Sequence, residues 1–228
     1  MIEETPMKET VKICGLSDAA TLEAALSAGA DMVGFVFFAR SPRNVSLPVA
    51  RRLGSQARGR ARIVALTVDA DDETLDDIFD ALTPDIVQLH GRETPERVSA
   101  IGRLYGRPTM KALGVAGPED LIGAAAYAGS ADFLLIDAKP PTTAIRPGGN
   151  GVAFDWALAS GFAPSRPWLL SGGLDPDNVE RAVREAGARG VDVSSGVERT
   201  PGEKDPERIR AFVAAARRAF QRTPEGVS

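Results

Sequence analysis

The sequence predicts an α/β fold, a single (β/α)8 barrel of eight parallel strands ringed by helices. Three observations predict it. Eight short apolar runs alternate with longer stretches of helical periodicity, and the runs end 23 to 34 residues apart, the span of one βα unit. The runs are near-continuously apolar, as strands buried on both faces are. An open, doubly wound sheet usually needs fewer units than eight.

The runs are Val11–Cys14, Met32–Phe37, Arg62–Thr67, Ile86–His90, Thr109–Leu113, Phe133–Asp137, Trp168–Ser171 and Val191–Ser195. Helix starts are marked by Thr94-Pro95, Asp175-Pro176 and Asp205-Pro206. Each sets a capping oxygen before a proline at the first helical position, where the missing N–H costs nothing. Gly29 and Gly187 fall where helices should end. The last helix carries one stripe, Ile209, Phe212, Val213, Ala216 and Phe220, which should pack on the barrel and leave Arg210 and Arg217 in water. Residues 139–151 (KPPTTAIRPGGNG) are the least regular stretch, long enough for a functional lid. Residues 1–10 read as an N-terminal extension, with Met7 an alternative start, and 222–228 as a frayed tail. No shift in composition divides the chain, so 1–228 reads as one domain.

Composition narrows the function. With 43% hydrophobic and 25% charged residues, the balance is that of a soluble globular protein. A net charge of -4, without a basic run, argues against a nucleic-acid partner. One cysteine makes neither an internal disulfide nor a cysteine-rich metal site, which fits a reducing cytoplasm. The acidic start MIEETPMKET lacks a signal-peptide core, and the longest apolar run, Met32 to Ala39, is too short to cross a bilayer. A cytoplasmic protein with no membrane partner is expected.

In such barrels the chemistry sits at the C-terminal ends of the strands. Those ends carry Cys14, His90, Asp137, Ser171 and Ser195, where packing alone would favour apolar residues. A lone Cys is commonly a small core hydrophobe. Cys14, however, ends a strand beside Gly15 and two residues from Lys12. A thiol serves as a base near neutral pH when positive charge lowers its pKa from roughly 8.5. Asp137 ends FLLID, either as a capping or loop-fixing residue or as a catalytic acid held where little water reaches it.

The loops SGGLDPDNV and SSGVE follow the seventh and eighth strands, the pair that frequently binds phosphate in this architecture. Gly172, Gly173, Ser195 and Gly196 are therefore candidates to hold a phosphorylated small molecule through backbone N–H groups. Glycine after a strand is also ordinary turn chemistry, so neither loop suffices alone. By the two-residue period Lys12 shares a face with Cys14, Asp192 with Ser194, and Gln88 with His90. The first and eighth strands are neighbours in a closed ring, so Lys12 and Asp192 should meet inside it; the plainer reading of such a contact is a structural ion pair only. No second His or carboxylate cluster supports a metal site.

Taken in order, KICG, GADMVGFVF, SPRNVS, VQLHG, LLIDAKPP, GGNGVAFDW, LSGGLDPDNV and VDVSSGVERTPGEKD resemble the phosphoribosylanthranilate isomerases over nearly the whole chain. The resemblance implies a (β/α)8 barrel that performs an Amadori rearrangement in tryptophan biosynthesis, without metal or organic cofactor. It implies Cys14 as general base, Asp137 as general acid, Arg43 as the holder of the anthranilate carboxylate, and the two glycine loops as the phosphate site. Gln88, His90 and Asp192 are carried as further substrate-binding candidates, and the protein is expected to be a monomer or homodimer. The stretch TTAIRP before GGNG departs from the plainest family pattern. Two other readings compete: a related phosphate-binding synthase barrel and a phosphate-ligand binder without chemistry. Indole-forming synthase chemistry would want a strand-ending Glu beside Lys12 or Lys111, and no Glu ends a strand.

Overall fold

Eight parallel strands close on themselves in a computed structural model that describes residues 9–139 and 155–222. They are β1 (Thr10–Cys14), β2 (Met32–Phe37), β3 (Arg62–Thr67), β4 (Ile86–Leu89), β5 (Thr109–Val115), β6 (Phe133–Ala138), β7 (Trp168–Leu170) and β8 (Gly190–Val193). β8 closes the ring on β1, with Thr10 opposite Gly190 and Lys12 opposite Asp192. Each expected run is a strand, and only the ends move. β4 stops one residue before His90, β5 continues two residues past Leu113, and Ser195 opens a 3-10 turn beyond β8. Strand ends are set by backbone pairing, which apolarity does not register.

The two-residue period sorts side chains between interior and outer shell. Met32, Val64, Ile86, Met110, Ala112, Leu135 and Leu169 fill the interior. Outward residues such as Val33, Phe35, Ile63 and Ala65 pack among helix side chains, as do Val87 and Leu89. Each such Val, Leu, Ile or Phe fully buried contributes about 1.5–3 kcal/mol, which is why the runs are apolar on both faces.

An aspartate just before each of β2, β4 and β6 ties down the start of the preceding strand. Asp31 accepts from the Val11 N–H at 2.7 Å, Asp85 from Ile63 at 2.8 Å and Asp132 from Thr109 at 2.9 Å. At β8 the position is Arg189, whose backbone carbonyl accepts from the Thr10 N–H of β1 across the closure of the ring.

The outer elements are α1 (Ala19–Ala28), α2 (Leu47–Ala57), α3 (Asp72–Leu82), α4 (Pro95–Tyr105), α5 (Pro118–Ile122), α6 (Val179–Ala186) and α7 (Pro206–Arg222). Thr94 caps α4, and Gly29 and Gly187 end α1 and α6 in left-handed conformation, as expected. The regular part of α6 begins later than Asp175-Pro176 suggests, after a turn at 176–178. Asp175 still caps that turn, its carboxylate accepting from the Asp177 and Asn178 N–H groups. The stripe on α7 is buried throughout. Arg217 is not in water as expected: it is half-buried and bonds to the Glu9 carbonyl, the Gly29 carbonyl and Asp31.

Helical periodicity overstates the ring between β5 and β7. Gly117-Pro118 and Gly123 shorten α5 to five residues, followed by a 3-10 turn at 123–127. Among the described residues only a 3-10 turn, Trp156–Ala159, lies between β6 and β7. Of the expected lid only Lys139 falls within the described residues, and most of the expected extension and tail (1–8 and 223–228) lies outside them. Among those described, no helix is long and apolar enough to cross a membrane.

Candidate active site

The first wall of the barrel mouth is built by β1 and β8. Lys12 and Cys14 both point inward, and so does Asp192 opposite Lys12. Lys12 Nζ donates to Asp192 Oδ1 at 2.7 Å inside the barrel, which bears out the expected pair. The other Asp192 oxygen accepts from the Ser171 hydroxyl at 3.4 Å. Burial alone would lower the Lys12 pKa, but Asp192, and beyond it Cys14, hold it above the ordinary lysine value.

Cys14 packs against Val36 and Leu66, the inward side chains of the next two strands. Burial pushes its thiol up; Lys12 opposes this, Asp192 adds to it, and Lys204 opposes it again. The lowered thiol expected from proximity to Lys12 is therefore not found. The cause is burial among apolar neighbours, which removes water from the sulfur and, helped by Asp192, outweighs the pull of Lys12 and Lys204.

A small hairpin after β8, β9 (Glu198–Thr200) with β10 (Glu203–Lys204), carries a second charge cluster to the same wall. Glu198 accepts from Arg43 Nε at 2.6 Å and Nη2 at 2.8 Å, a forked contact that fixes the guanidinium plane. The same carboxylate accepts from Lys204 Nζ at 2.8 Å. Burial would raise Glu198, yet Arg43 and Lys204 hold it below the ordinary carboxylate range. Lys204 also donates to the Ser194 carbonyl at 2.8 Å and hydroxyl at 3.2 Å. Burial pushes its pKa down to about 8, against the pull of Glu198. Arg43, Glu198 and Lys204 thus form one buried group beside Cys14.

The opposite wall is a chain of polar side chains on β4 and β6. Gln88 Nε2 donates to His90 Nδ1 at 3.1 Å, which leaves the ring proton on Nε2. That nitrogen lies 3.4 Å from Asp137 Oδ2, and Asp137 Oδ1 accepts from the Ala138 N–H at 2.8 Å. Gln88 Oε1 is buried without a partner among the described residues. His90 and Asp137, expected separately, are brought together here.

At the third side the loops after β7 and β8 interlock. A side chain at Gly196 would run into the backbone carbonyl of Leu174, so only glycine lets the two loops pack this closely. The carbonyls of Gly172 and Gly173 are turned to the Trp156 indole N–H and the Asn178 amide. Among the described residues the N–H groups of Gly172 and Gly173 find no acceptor. The first N–H groups before α6 are taken by Asp175, which leaves the glycine N–H groups as the ones open to an anion here.

Sequence reading missed Glu198, Lys204 and Ser194. Their signal was slight, because charged residues in a Gly-Pro hairpin usually face water. Lys111, weighed earlier as a catalytic lysine, is committed elsewhere: it donates to the Leu89 and Gly91 carbonyls and to Glu93 at 2.8 Å. Glu93 in turn fixes the Asp69 and Gly91 N–H groups, so this pair braces the loop behind His90. No group of three or more His, Cys, Asp or Glu among the described residues is placed to hold a metal.

The geometry has close counterparts. The family model for N-(5'-phosphoribosyl)anthranilate isomerase matches residues 11–215. The N-(5'-phosphoribosyl)anthranilate isomerase of Rhodopseudomonas palustris strain HaA2 is 58% identical over 211 residues, 92% of this chain and 97% of the relative. The crystal structure of phosphoribosyl anthranilate isomerase from Thermotoga maritima has a TM-score of 0.82 at 35% identity, covering 92% of this chain and 99% of that one. Another structure of such an isomerase, in complex with reduced 1-(o-carboxyphenylamino)-1-deoxyribulose 5-phosphate, has a TM-score of 0.80 at 33% identity and the same coverage. With a matching family model across most of its length and relatives this similar, the chain belongs to the N-(5'-phosphoribosyl)anthranilate isomerase family.

Proposed function

We propose that this protein isomerises N-(5'-phosphoribosyl)anthranilate to 1-(2-carboxyphenylamino)-1-deoxyribulose 5-phosphate, a step of tryptophan biosynthesis, with Cys14 as base and Asp137 as acid. One observation carries the assignment of roles. A buried thiol on β1 and a carboxylate on β6 face one barrel mouth from walls three strands apart, above two interlocked glycine loops. The family relationship and the bound ligand of the relative support the substrate.

Asp137 gives a proton to the furanose ring oxygen, which opens the ring to a Schiff base. The Cys14 thiolate takes the proton from the sugar's C2, and the resulting enolamine tautomerises to the ketone. Phosphate sits on the N–H groups of Gly172 and Gly173 with Ser195 and Gly196, and the anthranilate carboxylate meets Arg43. Two anchors at the ends of the substrate set the sugar between base and acid, which is the positioning share of the rate. His90 orients Asp137, and Gln88 fixes the tautomer of His90. Asp192 acts through Lys12 more than by touching substrate, since both its oxygens are engaged.

Loss of substrate fluorescence on turnover tests the reading. Cys14→Ala and Asp137→Asn should each cut kcat by about a hundredfold or more, with KM changed little. Arg43→Lys keeps the charge but loses the fork, and should raise KM by about tenfold, or ~1.4 kcal/mol. An Asp137→Asn variant with most of its activity would end the acid assignment. Absence of turnover by the unmodified protein would end the whole reading.

A further inference from the structure

Lys12 is the nearest cation to Cys14 along the chain and draws its thiol down, but its ammonium also bonds Asp192 at 2.7 Å, whose charge acts on the sulfur in the opposite direction. The hairpin brings a different balance. There one carboxylate, Glu198, serves two cations, since it is already forked onto Arg43 when it meets Lys204. A carboxylate shared in this way does not offset the Lys204 charge as Asp192 offsets that of Lys12.

The backbone puts this charge next to the thiol. The β1–β8 register pairs Ile13 with Val193, so one step on Cys14 lies level with Ser194. Lys204 is bound to Ser194 through both its carbonyl and its hydroxyl. Gly15 follows Cys14 at φ +76, and a side chain there would collide with Arg43 and press on the Ser194 hydroxyl. Glycine therefore lets the cluster close against the backbone that carries the thiol. The groups facing Cys14 are Lys12 on its own strand, Asp192 on β8, Lys204 on the hairpin, and apolar Val36 and Leu66, with Glu198 bound to Lys204 and to Arg43 of the β2 loop. His90 and Asp137 belong to the far wall.

We propose that Lys204 is the positioning residue for the base: its ammonium, held by Ser194 and only partly balanced by Glu198, favours the Cys14 thiolate over the thiol. The inference rests on the assignment of Cys14 as base. Thiol and ammonium together hold two protons at low pH. When the pair gives one to solvent, the state with thiolate beside ammonium is the reactive one, and the state with thiol beside neutral amine is idle. Their ionisations belong to the pair. Burial lowers Lys204 to about 8, so it still carries its ammonium charge at neutral pH and loses it only above that.

Cys14 is the only cysteine of the chain, so thiolate absorbance and the rate of iodoacetamide alkylation read it alone. Both measurements need no substrate. In Lys204→Met, with folding verified by circular dichroism, the thiolate should form at least about one pH unit higher, and alkylation near neutral pH should slow by about tenfold. Lys204→Arg keeps a permanent charge and should ionise its thiol no higher than the wild type does. The acid limb of kcat/KM should move with the thiol in both variants, with KM changed less than kcat. A folded Lys204→Met protein whose thiol titrates as in the wild type overturns the proposal, as does Lys204→Arg behaving like Lys204→Met. Either result leaves the isomerase reading standing, because that reading is decided by turnover.

Discussion

At the scale of single residues, burial acts on Cys14 before any charge does. The sulfur sits among Val36 and Leu66 with almost no water, so the charged form is disfavoured and the thiol is raised despite Lys12 and Lys204. The sign for activity follows directly. A base must be deprotonated to act, so a raised thiol places the acid limb of kcat/KM at or above neutral pH. Below it, kcat/KM should climb about tenfold per pH unit. A profile already flat on the acid side of neutral would contradict a raised thiol in the free enzyme. Arg43 illustrates a second residue-scale effect. A lone arginine in a loop ordinarily faces water, yet Arg43 is buried and forked onto Glu198. The guanidinium plane is thereby set before substrate arrives, so its carboxylate contact loses less side-chain freedom on binding.

At the scale of elements, the loops after β7 and β8 act as one unit because Gly196 lies against the Leu174 carbonyl. Gly196→Ala should force them apart and spoil the shared N–H surface. Inorganic phosphate at about ten times its Kd should stabilise the wild type by roughly 1.4 kcal/mol, or about 3–6 °C in Tm. The Gly196→Ala protein should lose most of that increment and show a higher KM for the phosphorylated substrate. Equal stabilisation of both proteins by phosphate would place anion binding elsewhere. The hairpin of β9 and β10 is the other decisive element, since it brings Glu198 and Lys204 to the same wall as Cys14.

At the scale of the whole molecule, the barrel separates stability from chemistry along its axis. The aspartates before β2, β4 and β6 pin strand starts at the end remote from Cys14 and Asp137. Asp85→Ala leaves the Ile63 N–H without its partner and should cost about 1–3 kcal/mol. Thermal unfolding should show it, at about 2–4 °C per kcal/mol, while kcat and KM at moderate temperature stay near wild type. A large loss of kcat in a folded Asp85→Ala protein would break the separation. The eight strands were legible in the sequence because a strand buried on both faces must be apolar along its length, and that requirement is local. So was the placement of Cys14 and Asp137 at the barrel mouth, as polar endings to apolar runs, and so was the Lys12–Asp192 pair, since ring closure and the two-residue period together fix its register. The Arg43–Glu198–Lys204 group, the contact of His90 with Asp137 and the direction of the thiol's pKa were decided by tertiary structure alone. Each depends on distances between residues far apart in the chain, and on how much water the packed interior leaves at one atom.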